Sequence, residues 1–131
     1  MKDAMLPDYR QKQQLLYEGK RSTTELIDYG DRFLEAGRIS DAIEFYQKAG
    51  HRTGLEKIIA TTQQTGDLML FLQASRALNR PTSPEEWLAI GLAAKALGKY
   101  SFALLVFEKG GHDQLLQETK ELVKKGSALL T

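Results

Sequence analysis

Cysteine is absent from this chain, and proline occurs only three times in 131 residues. Without Cys, no disulfide framework and no thiolate metal site can form, and the composition fits a reducing compartment. Charge of one sign is missing too: 18 Lys and Arg stand against 17 Asp and Glu, for a formal +1. The balance is even along the chain, with 10 basic and 10 acidic groups in residues 1–66, and 8 and 7 in residues 67–131. A general nucleic-acid binder needs an excess of Lys and Arg to displace counterions, so no nucleic-acid partner is expected. No apolar run approaches the ~20 residues of a membrane span. The segment Met1–Arg10 alternates charge and has no apolar core, so it does not read as a secretory signal. Nor does any stretch alternate apolar and polar with period 2, so no strand is expected. These absences leave a soluble, cytoplasmic, all-α chain, read as a single domain over residues 1–131.

What is present is a repeat. A shift of 61 residues places Ser22 on Ser83, Glu25 on Glu86, Leu26 on Trp87, Gly30 on Gly91, and Gly37 on Gly98. The same shift places Ser40 on Ser101, Ala42 on Ala103, Tyr46 on Phe107, Gly50 on Gly111, and His51 on His112. Between the two copies, Thr53 opens another hydroxyl-x-x-Glu with Glu56, so the interval holds two units of 30 to 31 residues. Ser22…Glu25, Thr53…Glu56 and Ser83…Glu86 are the signature of a capping box, in which hydroxyl and carboxylate satisfy each other's backbone amides. Pro84 sits just inside the third start, where its missing N–H costs nothing.

Each unit is expected to hold two helices. The first run over Glu25–Ala36, Leu55–Thr65 and Glu85–Leu97, stopped by Gly37, Gly66 and Gly98. The second run over Ser40–Ala49, Asp67–Asn79 and Ser101–Lys109, with Ser40 taken as a cap. So short a turn makes the two helices antiparallel neighbours. Pro7–Gly19 lines up with the second helix of a preceding unit, Tyr9 under Ile39 and Leu16 under Tyr46. Asp113–Lys125 lines up with the first helix of a following one. The units are thus about 22–51, 52–80 and 82–111, flanked by helices at 7–19 and 113–125.

The first unit reads Leu26-x2-Tyr29-Gly30-x2-Phe33, then Ala42-x3-Tyr46; the last reads Trp87-x2-Ile90-Gly91-x2-Ala94, then Ala103-x3-Phe107. This pattern resembles the tetratricopeptide repeat (TPR) family. Independently of the name, Gly30, Gly91, Ala42 and Ala103 are small enough for two helices to approach closely, and the aromatics fill the space beside them. The middle unit departs, with Ile59 and Phe71 at the small positions, and the units are shorter than the usual repeat of about 34 residues. Short units of this kind also resemble the α-solenoids of clathrin, coatomer and ciliary-transport scaffolds. The resemblance implies a TPR-like α-α superhelix of about three helix-turn-helix units, with a flanking helix at each end.

No constellation for chemistry stands out. His51 and His112 occupy equivalent places after a Gly, but helices four apart put them on the order of 20 Å from each other. A shared zinc needs both nitrogens within ~2.1 Å of it, so they read as loop histidines. Ser22, Ser40, Thr53 and Ser83 are accounted for as caps, and Glu85 and Glu86 suit the positive end of a helix. No catalytic site, metal or cofactor is therefore expected. The run Arg10-Gln11-Lys12-Gln13-Gln14 reads as a solvated helix face. The helix from Leu68 to Leu78, apolar nearly all round, reads as buried.

A second stripe lies off the packing face of the first helices: Thr24, Ile27, Asp31 and Leu34, then Lys57 and Thr61, then Leu88, Leu92 and Lys95. In the family resembled, this stripe lines a groove that takes peptides. The implied function is a non-enzymatic interaction module presenting that groove to a peptide or helix of another protein. The alternative is a segment of a larger scaffold or a self-associating solenoid. In the last helix Leu115, Leu116, Thr119, Leu122 and Val123 form one apolar stripe, expected to be covered by the preceding unit. That leaves Ala128-Leu129-Leu130 as the contact of a monomer or weak dimer.

Overall fold

The computed structural model describes residues 6–130, and side chains through residue 126. Residues 1–5, residue 131, and the side chains of Ala128, Leu129 and Leu130 lie outside the described residues. Eight α-helices, and no strand, occur among the described residues. They are α1 (Tyr9–Tyr17), α2 (Thr23–Glu35), α3 (Ile39–Ala49), α4 (Arg52–Thr65), α5 (Leu68–Ala77), α6 (Pro84–Ala96), α7 (Tyr100–Gly110) and α8 (Asp113–Leu130). The chain divides into two compact units. Unit 1 is Met1–Ile59 with Leu72–Arg80, and unit 2 is Ala60–Phe71 with Pro81–Thr131.

Capping chemistry sets some of the helix starts. Ser83 accepts from the Glu86 amide while the Glu86 carboxylate accepts from the Ser83 amide, so the expected box opens α6 in full. An unanticipated box opens α1, with Asp8 and Gln11 in the same reciprocal roles. At α2 the box is half made: Ser22 caps Glu25, but the Glu25 carboxylate pairs with Arg21 at 3.3 Å. Ser40 and Thr53 are not caps. Arg38 is the N-cap of α3, so Ser40 lies inside the helix and its hydroxyl donates to Gln73. The fourth helix already begins at Arg52, and Glu56 pairs with Arg52 instead of reaching back to Thr53.

The reason lies in the turns before them. After α2, Gly37 adopts φ +78°, its amide donates to the Leu34 carbonyl, and the next amide, of Arg38, donates to Phe33. This Schellman closure satisfies the last carbonyls and points the chain straight into the next helix, before any hydroxyl can act as a cap. Gly98, Gly50 and Gly111 close their helices in the same way, and Asn79 does so at φ +54°.

In unit 1, α2 packs along α3 and α1 packs on α3. Leu26, Phe33, Ala42, Ile43, Phe45 and Tyr46 are buried there, with the Phe33 and Phe45 rings stacked at 5.4 Å. Fully burying a side chain of this size stabilises by roughly 1.5–3 kcal/mol. A Cβ on Gly30 would sit 2.6 Å from the Tyr46 ring, so the two helices are as close as the small residues allow. In unit 2, α6 packs along α7, and α7 against α8. There a Cβ on Gly91 would lie 2.5 Å from the Phe107 ring. Ala94, Ala103 and Phe107 form a fully buried cluster on which Phe102, Leu115 and Leu116 pack. The α2–α3 and α6–α7 hairpins are thus built alike.

The fifth helix is less buried than its composition suggested. Leu68, Phe71, Ala74 and Ser75 are buried, but Met69 is 62% exposed. The reading of that helix as wholly buried is corrected at Met69, which faces outward while Leu70, Leu72 and Ala77 are half-buried.

Candidate functional site

The stripe read as a groove falls into two sets. Ile27, Asp31, Leu34 and Lys57 belong to unit 1; Thr61, Leu88, Leu92 and Lys95 belong to unit 2. Spacings of three and four put Ile27, Asp31 and Leu34 on one side of α2, and Leu88, Leu92 and Lys95 on one side of α6. Within each set the apolar members differ: Ile27 and Leu88 are half-buried, whereas Leu34 and Leu92 are 37% and 43% exposed. Lys57 and Thr61, on α4, are exposed. Lys95 lies 3.8 Å from Glu118 of α8.

Asp31 has a structural task. Its carboxylate accepts a 2.6 Å hydrogen bond from the hydroxyl of Tyr46, whose ring fills the space beside Gly30. Burial, and then the bond to this carboxylate, push the Tyr46 hydroxyl well above its ordinary value of 10.0. The equivalent pair in the second hairpin is Phe107 with Leu92, apolar on both sides.

A cluster that the sequence reading missed lies between α1 and α3. The Lys12 ammonium is buried; it donates to Asp41 at 2.7 Å and lies 3.1 Å from Glu44. Arg38 holds the other Asp41 oxygen, at 2.8 Å from Nη2. Burial, the largest single influence, pulls the Lys12 pKa down, but the bonds and charges of Asp41 and Glu44 together raise it above 10.5. The reading of Arg10–Gln14 as a solvated face is corrected at this residue. A signal was available: with Tyr9 under Ile39, Lys12 falls on the position of Ala42, which is a core position.

These two groups predict an alkaline weakness. Each has a folded-state pKa above its unfolded value, so each contributes stability that is complete below pH 10.0 and is lost as pH rises further. The urea midpoint is expected to fall between pH 8 and pH 11, and Tyr46→Phe should flatten part of that fall. A midpoint equal at the two pH values in the wild-type chain would contradict the assignment.

The histidines pack. His51 follows the Gly50 turn with its ring edge-on to Tyr46 at 5.1 Å, and His112 follows Gly111 with its ring edge-on to Phe107 at 6.4 Å. The His112 Nε2 is buried without a hydrogen-bond partner. Among the described residues no group of three or more His, Asp or Glu side chains is placed to hold a metal, and no helix is long and apolar enough to cross a membrane.

The last helix extends to Leu130, five residues beyond its expected end. Its stripe is covered only in part. Leu115 and Leu116 pack on the Ala94–Phe107 cluster, and Thr119 is fully buried with its hydroxyl bonded to the Leu115 carbonyl. Leu122 and Val123 are 41% and 37% exposed. The expectation that the whole stripe would be covered is corrected, because the helix outruns the surface it packs on.

Compared with known proteins, the chain matches no family model, no curated protein and no solved structure.

Proposed function

We propose that this chain is a TPR-like helical-repeat module without catalytic activity, which binds a peptide or helix of another protein along the first helices of its units. The observation that carries the reading is the pair Leu34 and Leu92. Each is an exposed leucine on the stripe off the packing face, with a half-buried aliphatic residue, Ile27 or Leu88, on the same stripe. Peptide-binding helices use this combination of accessible apolar anchors and a polar surround.

Affinity capture from native extract with wild-type chain and with the Leu34→Glu, Leu92→Glu chain tests it. Exposed substitutions of this kind change stability by less than about 0.5 kcal/mol each, so folding and binding should separate. The double variant is expected to keep its helix content and lose the partner. A partner retained in full would remove the stripe from consideration. Asp31 is left out of the test because it holds Tyr46.

A second reading, as a scaffold segment or self-associating solenoid, is favoured by the exposed Leu122 and Val123 on α8. A terminal repeat that ends a solenoid carries a polar outer face. Sedimentation velocity separates the two. A monomer, or at most a weak dimer, is expected of the interaction module, whereas an oligomer dissociated by Leu122→Glu speaks for the scaffold.

A further inference from the structure

The first helix is attached in an unusual way. Within α1 the buried side chains are Lys12 and Leu16, one turn apart, while Tyr9 and Tyr17 near its ends are 73% and 65% exposed. A cavity of about 270 Å³ opens beside it, lined by Pro7, Gln11, Gln14, Leu15, Arg21 and Tyr29, so its packing toward α2 is incomplete. At nine residues it is shorter than the ~12–15 at which an isolated helix becomes even marginally stable in water. Its helical form therefore depends on staying docked.

The surface beneath it is organised differently. Asp41 and Glu44 are one turn apart on α3, a helix held along its length by α2. Arg38 grips the outer oxygen of Asp41 through two nitrogens, at 2.8 and 2.9 Å, and stacks on Phe33 with its guanidinium 4.9 Å from the ring centre. The carboxylate is thus held in place by a residue that does not belong to α1. Were α1 to leave, Lys12 would regain water and Asp41 would keep its partner.

We propose that α1 is a displaceable strap over an acceptor site on α3, and that this site takes an amphipathic helix of a partner protein carrying a Lys or Arg one turn before a leucine. The acidic pair selects the cation, and the pocket filled by Leu16 selects the apolar residue. The sequence Lys12-x3-Leu16 is the chain's own copy of that ligand, and it masks the site until a competitor arrives. This inference does not depend on the stripes of α2 and α6.

A labelled synthetic peptide of residues 6–20 serves as the probe, with binding read by fluorescence anisotropy on the full-length chain. The tethered α1 competes at a high effective concentration, so wild-type chain should bind the peptide weakly, and the Lys12→Ala chain at least about tenfold more tightly. The same peptide carrying Lys12→Ala should not bind, and added salt should weaken the wild-type peptide. Equal affinity for the two chains, or no binding to the Lys12→Ala chain, overturns the proposal. A dimer that forms in the wild-type chain and is lost on Lys12→Ala replaces the partner helix with a second copy, and also overturns it. Amide exchange on the wild-type chain needs no variant. The amides of α1 should exchange at least about tenfold faster than those of α3. Equal protection in α1 and α3 also overturns the proposal, because a displaceable helix must open more readily than the helix beneath it.

Discussion

Replacing Gly66 with alanine is expected to cost about 2–5 kcal/mol, the sum of a left-handed backbone forced on a side chain and an overpacked contact. Gly66 has φ +66°, and a Cβ there would stand 2.8 Å from both the Cα and the N of Ala94. Those are main-chain atoms of α6, and they cannot swing aside as the tip of a side chain could. The control is Gly98→Ala. Its φ is +76°, but nothing lies within 4 Å of the added carbon, so only the backbone term applies, about 1 kcal/mol. Urea unfolding of the two variants reads the difference directly. Equal losses would mean that the approach of Gly66 to α6 is not close in solution.

The second large effect belongs to Phe107. It is fully buried beside Gly91 and in the cluster with Ala94 and Ala103. Phe107→Ala should cost about 3–5 kcal/mol, because the cavity it leaves is walled by helix backbones that relax little. A gentler substitution tests the reasoning more sharply. Phe107→Tyr copies the residue of the first hairpin, but Leu92 stands where Asp31 accepts the Tyr46 hydroxyl. The new hydroxyl should therefore cost about 1–3 kcal/mol for want of a partner. Adding Leu92→Asp to Phe107→Tyr should restore most of the loss. A double variant no more stable than Phe107→Tyr alone would show that the two hairpins are not equivalent at this level.

The contrast between these hairpins measures how far the residues alone lead. The shift of 61 pairs Tyr46 with Phe107 and Gly30 with Gly91, and the structure sets each glycine against the aromatic of its own hairpin. The shift also pairs Asp31 with Leu92, and each lies on the stripe of its own helix, α2 or α6. Helical spacing says which residues lie on one stripe; it does not say that a hydroxyl from the facing helix will reach one of them. The stripe was therefore legible as positions along a helix side. That Asp31 among them holds Tyr46, while Leu34 and Leu92 are exposed, was not.

The helix boundaries show the same division. Ser83 and the glycines after α2, α3, α4, α6 and α7 mark real starts and stops, because caps and left-handed closures act within one turn of backbone. Ser40 and Thr53 carry an equally good local signal, and it loses. The preceding turn has already satisfied the carbonyls and directed the chain into α3 and α4.

The sequence by itself determined that the described chain is helical, roughly where each helix begins and ends, and which small residues let paired helices approach. Hydrogen bonding, steric reach and periodicity over a few residues suffice for that. Only the tertiary structure decided which charges are buried and which apolar stripes are left open. Lys12 reads as a surface residue until Asp41, 29 positions away, and Glu44 are seen to receive it. Leu122 and Val123 read as packed until α8 is seen to run past the cluster that covers Leu115 and Leu116. Burial is a property of what lies opposite a residue, and what lies opposite comes from segments distant along the chain.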